Sequence, residues 1–191
     1  MDQKNPRQEA ILVAKKILAA SPIYLDTETT GMGYRDEVVE IAILEQDGSV
    51  VLDSLVKPIG KISSDAFAVH GITQEMVADA PTWGELWTEV EAALKDRVVA
   101  IFNADFDNRM MMQSNRLHGL SWVPPYKDSF CIMKLYAQFY GQWNSYHNSF
   151  TWQSLDTARR QCSIEIPNTH RAKDDTLLAR AVLHYMAGQE G

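Results

Sequence analysis

The chain has 191 residues, of which 18 are lysine or arginine and 25 are aspartate or glutamate, so its formal net charge at pH 7 is −7. This charge argues against a protein that coats nucleic acid through a basic surface, although it does not exclude a nuclease. Hydrophobic residues make up 46% and charged residues 23% of the chain, a globular composition that excludes a disordered or fibrous protein. The length suits one domain of roughly 100–200 residues with its own core.

The sequence carries no recognisable signal for export or membrane insertion. The apolar run at residues 10–14 ends at two lysines, so it is shorter than the roughly 7–15 residues of a secretory signal. Residues 135–155 carry no formal charge but are rich in glutamine, asparagine and serine, so they do not predict a membrane span. Cys131 and Cys162 are too few for a disulfide framework and are expected to be reduced thiols. We therefore expect a cytoplasmic protein.

The first half of the chain carries signals for a helix followed by three strands. Asn5 followed by Pro6 is typical of an N-cap and a first helical position, and apolar residues recur at near-helical spacing until Ser21-Pro22. Three apolar runs follow, and Asp47-Gly48 between the last two predicts a tight hairpin, so the strands are expected to be antiparallel. The first predicted strand begins at Ile23, the second covers residues 38–44 and the third covers residues 50–56.

The second half of the chain begins with a helix and a buried strand. Thr82 and Glu85 form a capping-box signature for a helix that runs to about Lys95. The continuous apolar run at residues 98–102 predicts a buried strand, and a strand followed by a helix is typical of a crossover unit. The remaining predicted helices cover residues 104–118, 130–140, 152–161 and 171–186.

Acidic residues are concentrated in one segment, residues 22–56, which holds eight of them and one arginine. Within it, Asp26 and Glu28 stand two residues apart at the end of an apolar strand, so their side chains project from the same face. Two carboxylates on one face offer oxygen ligands to a cation, whereas a solvated strand edge would explain them equally well.

Three further residues have positions that suit a site. Asp107 follows the buried strand in the first turn of a helix, where an acid also stabilises the helix dipole. His170 precedes Asp175 by five residues, and five helical steps of about 100° turn their side chains about 140° apart. We therefore place Asp175 on the inward face of the last helix and His170 on the loop before it, although a lone histidine there is more often an ordinary surface residue. Asp105 and Asp174 are expected not to be ligands.

Three short motifs in this order resemble the exonuclease motifs of the DEDD exonuclease superfamily in its histidine variant. They are Asp-x-Glu-Thr-Thr-Gly from Asp26, Asn-Ala-x-Phe-Asp from Asn103 and His-Arg-Ala-x-x-Asp from His170. The DnaQ-like family, to which the proofreading exonuclease subunit of bacterial replicative polymerases belongs, is part of this superfamily. The resemblance runs from about residue 23 to residue 186 and includes the segment that begins Val69-His70-Gly71. The sequence departs from the family's pattern at two places. A phenylalanine precedes Asn103, where many members have histidine, and an aromatic-rich stretch follows residue 134.

The resemblance implies a ribonuclease-H-like α/β fold, with a five-stranded mixed sheet flanked by helices. We expect an exonuclease domain over residues 23–191, with the helix within residues 1–22 packed on it. The resemblance also implies a 3′–5′ exonuclease that releases nucleoside 5′-monophosphates from a nucleic acid with a free 3′ end. Two divalent cations, Mg²⁺ or Mn²⁺, are the expected cofactors because the ligands are all oxygens. The implied site residues are the ligands Asp26, Glu28, Asp107 and Asp175, the general base His170, and the terminal-nucleotide pocket residues Thr29, Val69, His70 and Phe106.

The sequence leaves the substrate and the partners open. Single-stranded DNA or frayed duplex ends are favoured, while an RNA-trimming or oligoribonucleotide-degrading enzyme would use the same motifs. The alternative of another class is a nucleic-acid-binding accessory subunit of a larger complex. Residues 136–152 hold seven aromatic side chains, which could stack unpaired bases, contact a protein partner or a second copy, or pack on the core. The helical spacing of the first four favours packing on the core.

Overall fold

The computed structural model describes residues 5–190, so residues 1–4 of the predicted N-terminal segment and residue 191 lie outside the described range. None of the helices in this range combines the length and the hydropathy that are needed to cross a lipid bilayer. In chain order the elements are α1 (Pro6–Ala19), β1 (Ile23–Thr29), β2 (Val38–Leu44), β3 (Val50–Leu55), α2 (Ser64–His70), α3 (Trp83–Leu94), β4 (Val98–Ile101), α4 (Ala104–Leu117), β5 (Asp128–Cys131), α5 (Ile132–Tyr140), β6 (Trp143–Asn144), β7 (Ser149–Phe150), α6 (Leu155–Gln161) and α7 (Ala172–Ala187).

Five of the strands form a mixed sheet in the order β3-β2-β1-β4-β5. β2 pairs antiparallel with both β1 and β3, whereas β4 pairs parallel with both β1 and β5. The three antiparallel strands and the five-stranded mixed sheet are therefore confirmed. The turn between β2 and β3 contains Gly48 at a φ of 93°, a backbone conformation that glycine adopts without strain.

Helices cover both faces of this sheet. Alternate residues of a strand point to opposite faces, and in β1 Ile23 and Leu25 face the core formed with α3 and α4. Tyr24 faces the other core, which is built with α1, α5, α6 and α7. Asp26 and Glu28 continue the Tyr24 series, so β1 directs both carboxylates to the side of the sheet on which α7 packs.

α1 forms as the sequence predicts and packs against α5 and α7. The side chain of its N-cap, Asn5, accepts a hydrogen bond from the backbone N–H of Arg7 at 3.0 Å, and Pro6 occupies the first helical position. Ile11 and Ala14 on its inner face are buried in the core shared with α7. A second helix start is confirmed at α3, where the predicted capping box is present.

Four of the described regular elements have no counterpart in the sequence prediction, namely α2, β5, β6 and β7. Asp128–Cys131 forms β5, so the helix predicted from residue 130 begins only at Ile132. A four-residue strand is too short to display an alternating pattern, which is why the sequence did not reveal it. α2 buries only His70, so it has no apolar stripe that a periodicity argument could detect.

The helix predicted from residue 152 begins three residues later, and the aromatic residues between α5 and α6 are not helical. Ser154 caps α6 by accepting a hydrogen bond from the backbone N–H of Thr157 at 3.1 Å. Tyr136 and Phe139 of α5 are buried, as the packing interpretation requires. That interpretation is wrong for the residues beyond α5, because β6 and β7 form a separate two-stranded sheet with exposed rings. The exposed fractions are 53% for Trp143, 90% for Tyr146 and 60% for Trp152.

Candidate active site

All four predicted acidic ligands and the predicted base line one cleft with a volume of about 220 Å³. It lies where the parallel strands β1 and β4 end, the edge of an α/β sheet at which ligands bind. β1, the first turn of α4 and the first turn of α7 each contribute to it. The predicted residues in the cleft are Asp26, Glu28, Asp107, His170 and Asp175.

β1 and α7 bring three of the carboxylates together. One carboxylate oxygen from each of Asp26, Glu28 and Asp175 lies within 4.8 Å of the other two. The pairing of β1 with β2 is irregular between Glu28 and Thr29, and such irregularities re-aim side chains at the ends of strands. Three oxygen donors from two elements therefore meet at one point.

Asp107 is tied to the same strand by Thr27. It lies in the first turn of α4 and is 2% exposed. The backbone N–H and the hydroxyl of Thr27 donate to Asp107 Oδ1 at 3.1 and 2.8 Å. Thr27 points to the opposite face of β1 from Asp26, which allows it to reach α4. Thr27 is thus a positioning residue that the sequence analysis missed, although it stands between the two motif carboxylates.

The loop before α7 fixes the carboxylate of Asp175. The backbone N–H of Thr169 donates to Asp175 Oδ1 at 3.3 Å. Asn168 lies beside the same carboxylate, and in the amide orientation that turns its nitrogen towards Asp175 it would donate to both oxygens at 3.1 Å. His170 Nδ1 lies 3.8 Å from Asp175 Oδ2. Asn168, which also lines the cleft, was missed because its sequence context is that of an ordinary turn.

His170 occupies the loop position that the sequence predicts, with a side chain that is 51% exposed. Its backbone has a φ of 52°, in the left-handed region, which costs a residue with a side chain roughly 1–2 kcal/mol. Strain of this kind persists where the surrounding contacts determine the conformation, and it is common at functional sites. The half-exposed imidazole is therefore accessible to a substrate in the cleft.

An ion pair between the buried Glu40 and the partly exposed Arg171 anchors the segment that carries His170. Glu40 on β2 is 3% exposed, and Arg171 Nε donates to its two carboxylate oxygens at 3.0 and 3.1 Å. A second guanidinium N–H also donates to Glu40, and so does the backbone N–H of Ala172 at 2.8 Å. Bidentate contacts of this type are strong and directional. Glu40 could not be singled out from the sequence, where it is one of several acidic residues in the strand region.

Arg171→Ala is expected to lower the free energy of unfolding by about 2 kcal/mol, because it leaves the buried Glu40 carboxylate with only the Ala172 N–H as a donor. Urea unfolding measures this change. The double variant with Glu40→Gln should recover most of the loss, since no buried charge remains. Arg97→Ala is the control, because Arg97 pairs with Glu45 at the surface and its loss should cost at most about 1 kcal/mol. Equal losses for Arg171→Ala and Arg97→Ala would contradict the anchoring role.

Burial raises the pKa of every carboxyl group in the cluster. The pKa of Asp26 lies well above its usual range because of burial and the charges of its acidic neighbours. Burial and nearby carboxylates raise the pKa of Glu28 to about 8, and burial raises that of Asp107 to about 7. The pKa of Asp175 is raised to about 6 by burial, against the opposing effect of His170. A buried site in which carboxylates repel each other is suited to bind divalent cations, because the cations supply the positive charge that the site lacks.

An apolar pocket of about 340 Å³ adjoins the cleft, and Glu28 and Phe106 line both. Thr29, Val69 and His70 complete the set of predicted pocket residues, and all of them line it. The pocket is therefore walled by β1, α2 and the start of α4. These positions could be predicted from the sequence only through the family resemblance.

Hydrogen bonds fix the ring of His70 in one protonation state. The backbone N–H of Ile72 donates to His70 Nδ1 at 2.9 Å, so Nδ1 must be the unprotonated nitrogen. His70 Nε2 then donates to the backbone carbonyl of Thr29 at 3.1 Å. Burial lowers the pKa of His70, in agreement with a neutral ring. His70 thus holds the wall of the pocket rather than acting as a base.

The acidic residues next to the ligands have other contacts. Asp105 is exposed and pairs with Lys134 at 2.6 Å. Asp174 accepts a hydrogen bond from the hydroxyl of Thr169 at 2.7 Å. Neither lines the cleft, whereas Phe102, which stands where many family members have histidine, does line it.

The sequence and the fold match known exonucleases. The family model described as Exonuclease matches residues 23–183. The chain is 34% identical over 184 residues to an exonuclease of Escherichia phage 186 named CP81, described as uncharacterized, and the match covers 91% of this chain and 92% of that one. It is 30% identical over 168 residues to a DNA polymerase III of PolC type from Thermotoga maritima, which covers 85% of this chain but only 12% of the polymerase. The solved structure of exonuclease X in complex with 5′ overhanging duplex DNA has a TM-score of 0.62 and 26% identity, covering 86% of this chain and 90% of that one.

The matched region contains each element that contributes to the cleft and to the pocket. Enzymes of this family use divalent metals, and the acidic cluster that would bind them is present. The chain therefore belongs to the exonuclease family, as a DnaQ-like DEDD enzyme of the 3′–5′ class.

Proposed function

We propose that this 3′–5′ exonuclease releases nucleoside 5′-monophosphates from single-stranded DNA or from frayed duplex ends. The observation that carries the proposal is the junction of the carboxylate cleft with the apolar pocket at Glu28 and Phe106. The pocket has the volume of a small-molecule site, which suits one terminal nucleotide. A nucleotide in the pocket would present its 5′ phosphodiester to the carboxylates beside it.

The proposed cofactors are two Mg²⁺ or Mn²⁺ ions held by the four acidic residues of the cleft. Oxygen donors favour these hard cations over softer metals, and both cysteines lie outside the lining of the cleft. When bound, such ions supply the charge that activates a water and stabilises the leaving 3′ oxygen. The proposed ligands are Asp26, Glu28, Asp107 and Asp175.

The proposed base is His170, which would accept a proton from the attacking water. The water oxygen forms a bond to phosphorus, the bond from phosphorus to the 3′ oxygen breaks, and that oxygen takes up a proton from solvent as it leaves. Asp175 lies beside the ring and would stabilise the imidazolium that forms. The proposed roles of Thr29, Val69 and Phe106 are to contact the terminal nucleotide, with His70 holding the pocket wall in place.

The names of two relatives support DNA as the substrate. One is a DNA polymerase, and the other was solved with 5′ overhanging duplex DNA. RNA trimming stays the alternative, because the same carboxylates serve either sugar. A role limited to nucleic-acid binding is disfavoured, since a scaffold would not need four carboxylates and a histidine in one cleft.

We expect 5′-labelled single-stranded DNA to shorten into a ladder from its 3′ end, with mononucleotides as the only small products. RNA of the same sequence should be degraded more slowly, and a chelator should stop both reactions until Mg²⁺ or Mn²⁺ is returned. A circular single strand is the control and should resist digestion, because it has no terminal nucleotide. Cleavage of the circle, or full activity in chelator, would contradict the proposed function, while faster loss of RNA would favour the alternative.

A further inference from the structure

A hairpin with exposed aromatic rings stands next to the active-site cleft. β6 and β7 pair antiparallel, with Trp143 opposite Phe150 and Asn144 opposite Ser149. The backbone N–H of Thr151 donates to the carbonyl of Gln142 at 2.8 Å and extends the pairing. We call residues 141–153 the aromatic hairpin.

The rings of the aromatic hairpin are supported by each other. Trp143 and Phe150 meet edge to face with their ring centres 5.1 Å apart. Tyr146 meets His147 in the same way at 4.9 Å. Trp143, Tyr146 and Trp152 are each more than half exposed, so ring surface is free for a ligand. Concentrated exposed apolar surface on a small protein commonly marks a binding site.

The aromatic hairpin also encloses a groove of about 400 Å³ with a mixed lining. Rings can stack on the faces of bases, and the amide and hydroxyl groups beside them can hydrogen-bond the edges of bases. The residues that line the groove are Asn144, His147, Ser149, Phe150, Thr151 and Trp152.

The groove and the active-site cleft are lined by residues that are close together in the chain. Ser154 and Leu155 line the carboxylate cleft, whereas Trp152 lines the groove. Two residues of extended chain span at most about 7 Å, so the two sites are neighbours. A strand that leaves the cleft on this side would meet the aromatic hairpin first.

The charge of this region selects among possible occupants. Residues 135–155 contain no aspartate, glutamate, lysine or arginine, in a chain whose net charge is −7. No carboxylate there repels a phosphate backbone, and no cationic side chain attracts the dense charge of a duplex. Bases in a duplex are paired and stacked on each other, so only an unpaired segment offers base faces to these rings.

We propose that the aromatic hairpin stacks the unpaired bases that lie on the 5′ side of the terminal nucleotide. The inference rests on the proposed function, because it places a substrate strand in the cleft. It names the occupant as a single-stranded segment, rather than a duplex or a protein. Longer single strands should therefore bind more tightly than substrates that are too short to reach Trp152.

The test compares a dodecathymidylate with a thymidine dinucleotide as substrates of Tyr146→Ala, Trp152→Ala and the double variant. Each single variant should raise KM for the dodecamer about 10-fold, the effect of one lost base stack. kcat for the dodecamer and KM for the dinucleotide should not change. Trp152→Phe keeps a ring and should stay near wild type, and Val123→Ala is the control because Val123 is 72% exposed and lies outside the hairpin.

Each possible outcome decides a separate point. If the wild type degrades neither substrate, the proposed function fails. If the wild type is active and neither alanine variant changes KM for the dodecamer, the stacking inference is wrong. Loss of a dimer in light scattering without a change in KM would also overturn it, because the hairpin would then contact another copy. Tyr146 is 90% exposed, so Tyr146→Ala keeps the test valid if Trp152→Ala lowers the Tm.

Discussion

Asp26→Asn is expected to abolish nucleotide release and to raise the Tm of the metal-free protein. Asp26 offers an oxygen within 4.8 Å of those of Glu28 and Asp175, so its loss removes a ligand from the centre of the cluster. Without this ligand the site would stabilise the charge of the transition state less well, so kcat should fall by about 10³-fold or more. The same change removes a charge whose burial and repulsion oppose folding, which accounts for the higher Tm.

The stability effect has a defined pH dependence. Burial raises the carboxyl pKa values in the folded state, so the native protein keeps protons that the unfolded chain loses. Stability therefore falls as pH rises through this window, from the ordinary value of about 4 to the pKa of Glu28, about 8. Below the window both states are protonated and the penalty is absent. Asp26→Asn should flatten this decline.

Thermal unfolding in chelator and in Mg²⁺ at pH 5 and pH 8 tests both effects. Mg²⁺ should raise the wild-type Tm more at pH 8, because the carboxyl groups must lose protons to bind it. Asp105→Asn is the control, since Asp105 is exposed and lies outside the cleft. Wild-type turnover by Asp26→Asn, or a lower Tm than wild type in chelator at pH 8, would show that the acidic cluster does not work in this way.

The cleft could be anticipated because its residues stand at ends of elements that local patterns reveal. Asp26 and Glu28 close an apolar strand, Asp107 opens the helix after a buried strand, and Asp175 lies on the inward face of a helix. The alternation of side chains along a strand and the 3.6-residue turn of a helix then predict which way each side chain points. What the patterns could not provide was their convergence, which came from the resemblance of the three motifs in order.

Thr27 and Glu40, which hold these groups in place, could not be anticipated because their contacts join distant parts of the chain. Thr27 meets Asp107 across 80 positions, and Glu40 meets Arg171 across 131. No local periodicity encodes a partner at such a separation. Glu40 was also obscured by its surroundings, since an acidic residue on a strand among other acids predicts a solvated edge rather than a buried carboxylate paired with an arginine.

The aromatic segment misled the sequence analysis for a different reason. Tyr136, Phe139 and Tyr140 follow helical spacing, and α5 does bury the first two. Gly141 then adopts a φ of 84° and ends the helix, so the spacing of the aromatic residues after it does not indicate a helix. A glycine after a helix-like run was the available signal for this change.

His170→Gly is expected to lower kcat by about 10²- to 10⁴-fold while leaving the fold and the metal ligands intact. Glycine adopts the φ of 52° at this position without strain, and the side chain it removes is half exposed. The free energy of unfolding should therefore change by less than about 1 kcal/mol. His170→Ala is the matched variant, because it also removes the imidazole but keeps a Cβ in the left-handed backbone and should be the less stable of the two.

Added imidazole should restore part of the activity of His170→Gly, because the half-exposed position leaves room for a free base beside Asp175. The rescue should grow as pH rises, since only neutral imidazole accepts the proton of the attacking water. Metal affinity, measured by Mn²⁺ titration, should match the wild type and thereby separate loss of the base from loss of the ions. A variant with wild-type kcat would make His170 a bystander. A slow variant that no concentration of imidazole improves would assign the histidine a structural role, and the base would then have to be another group in the cleft.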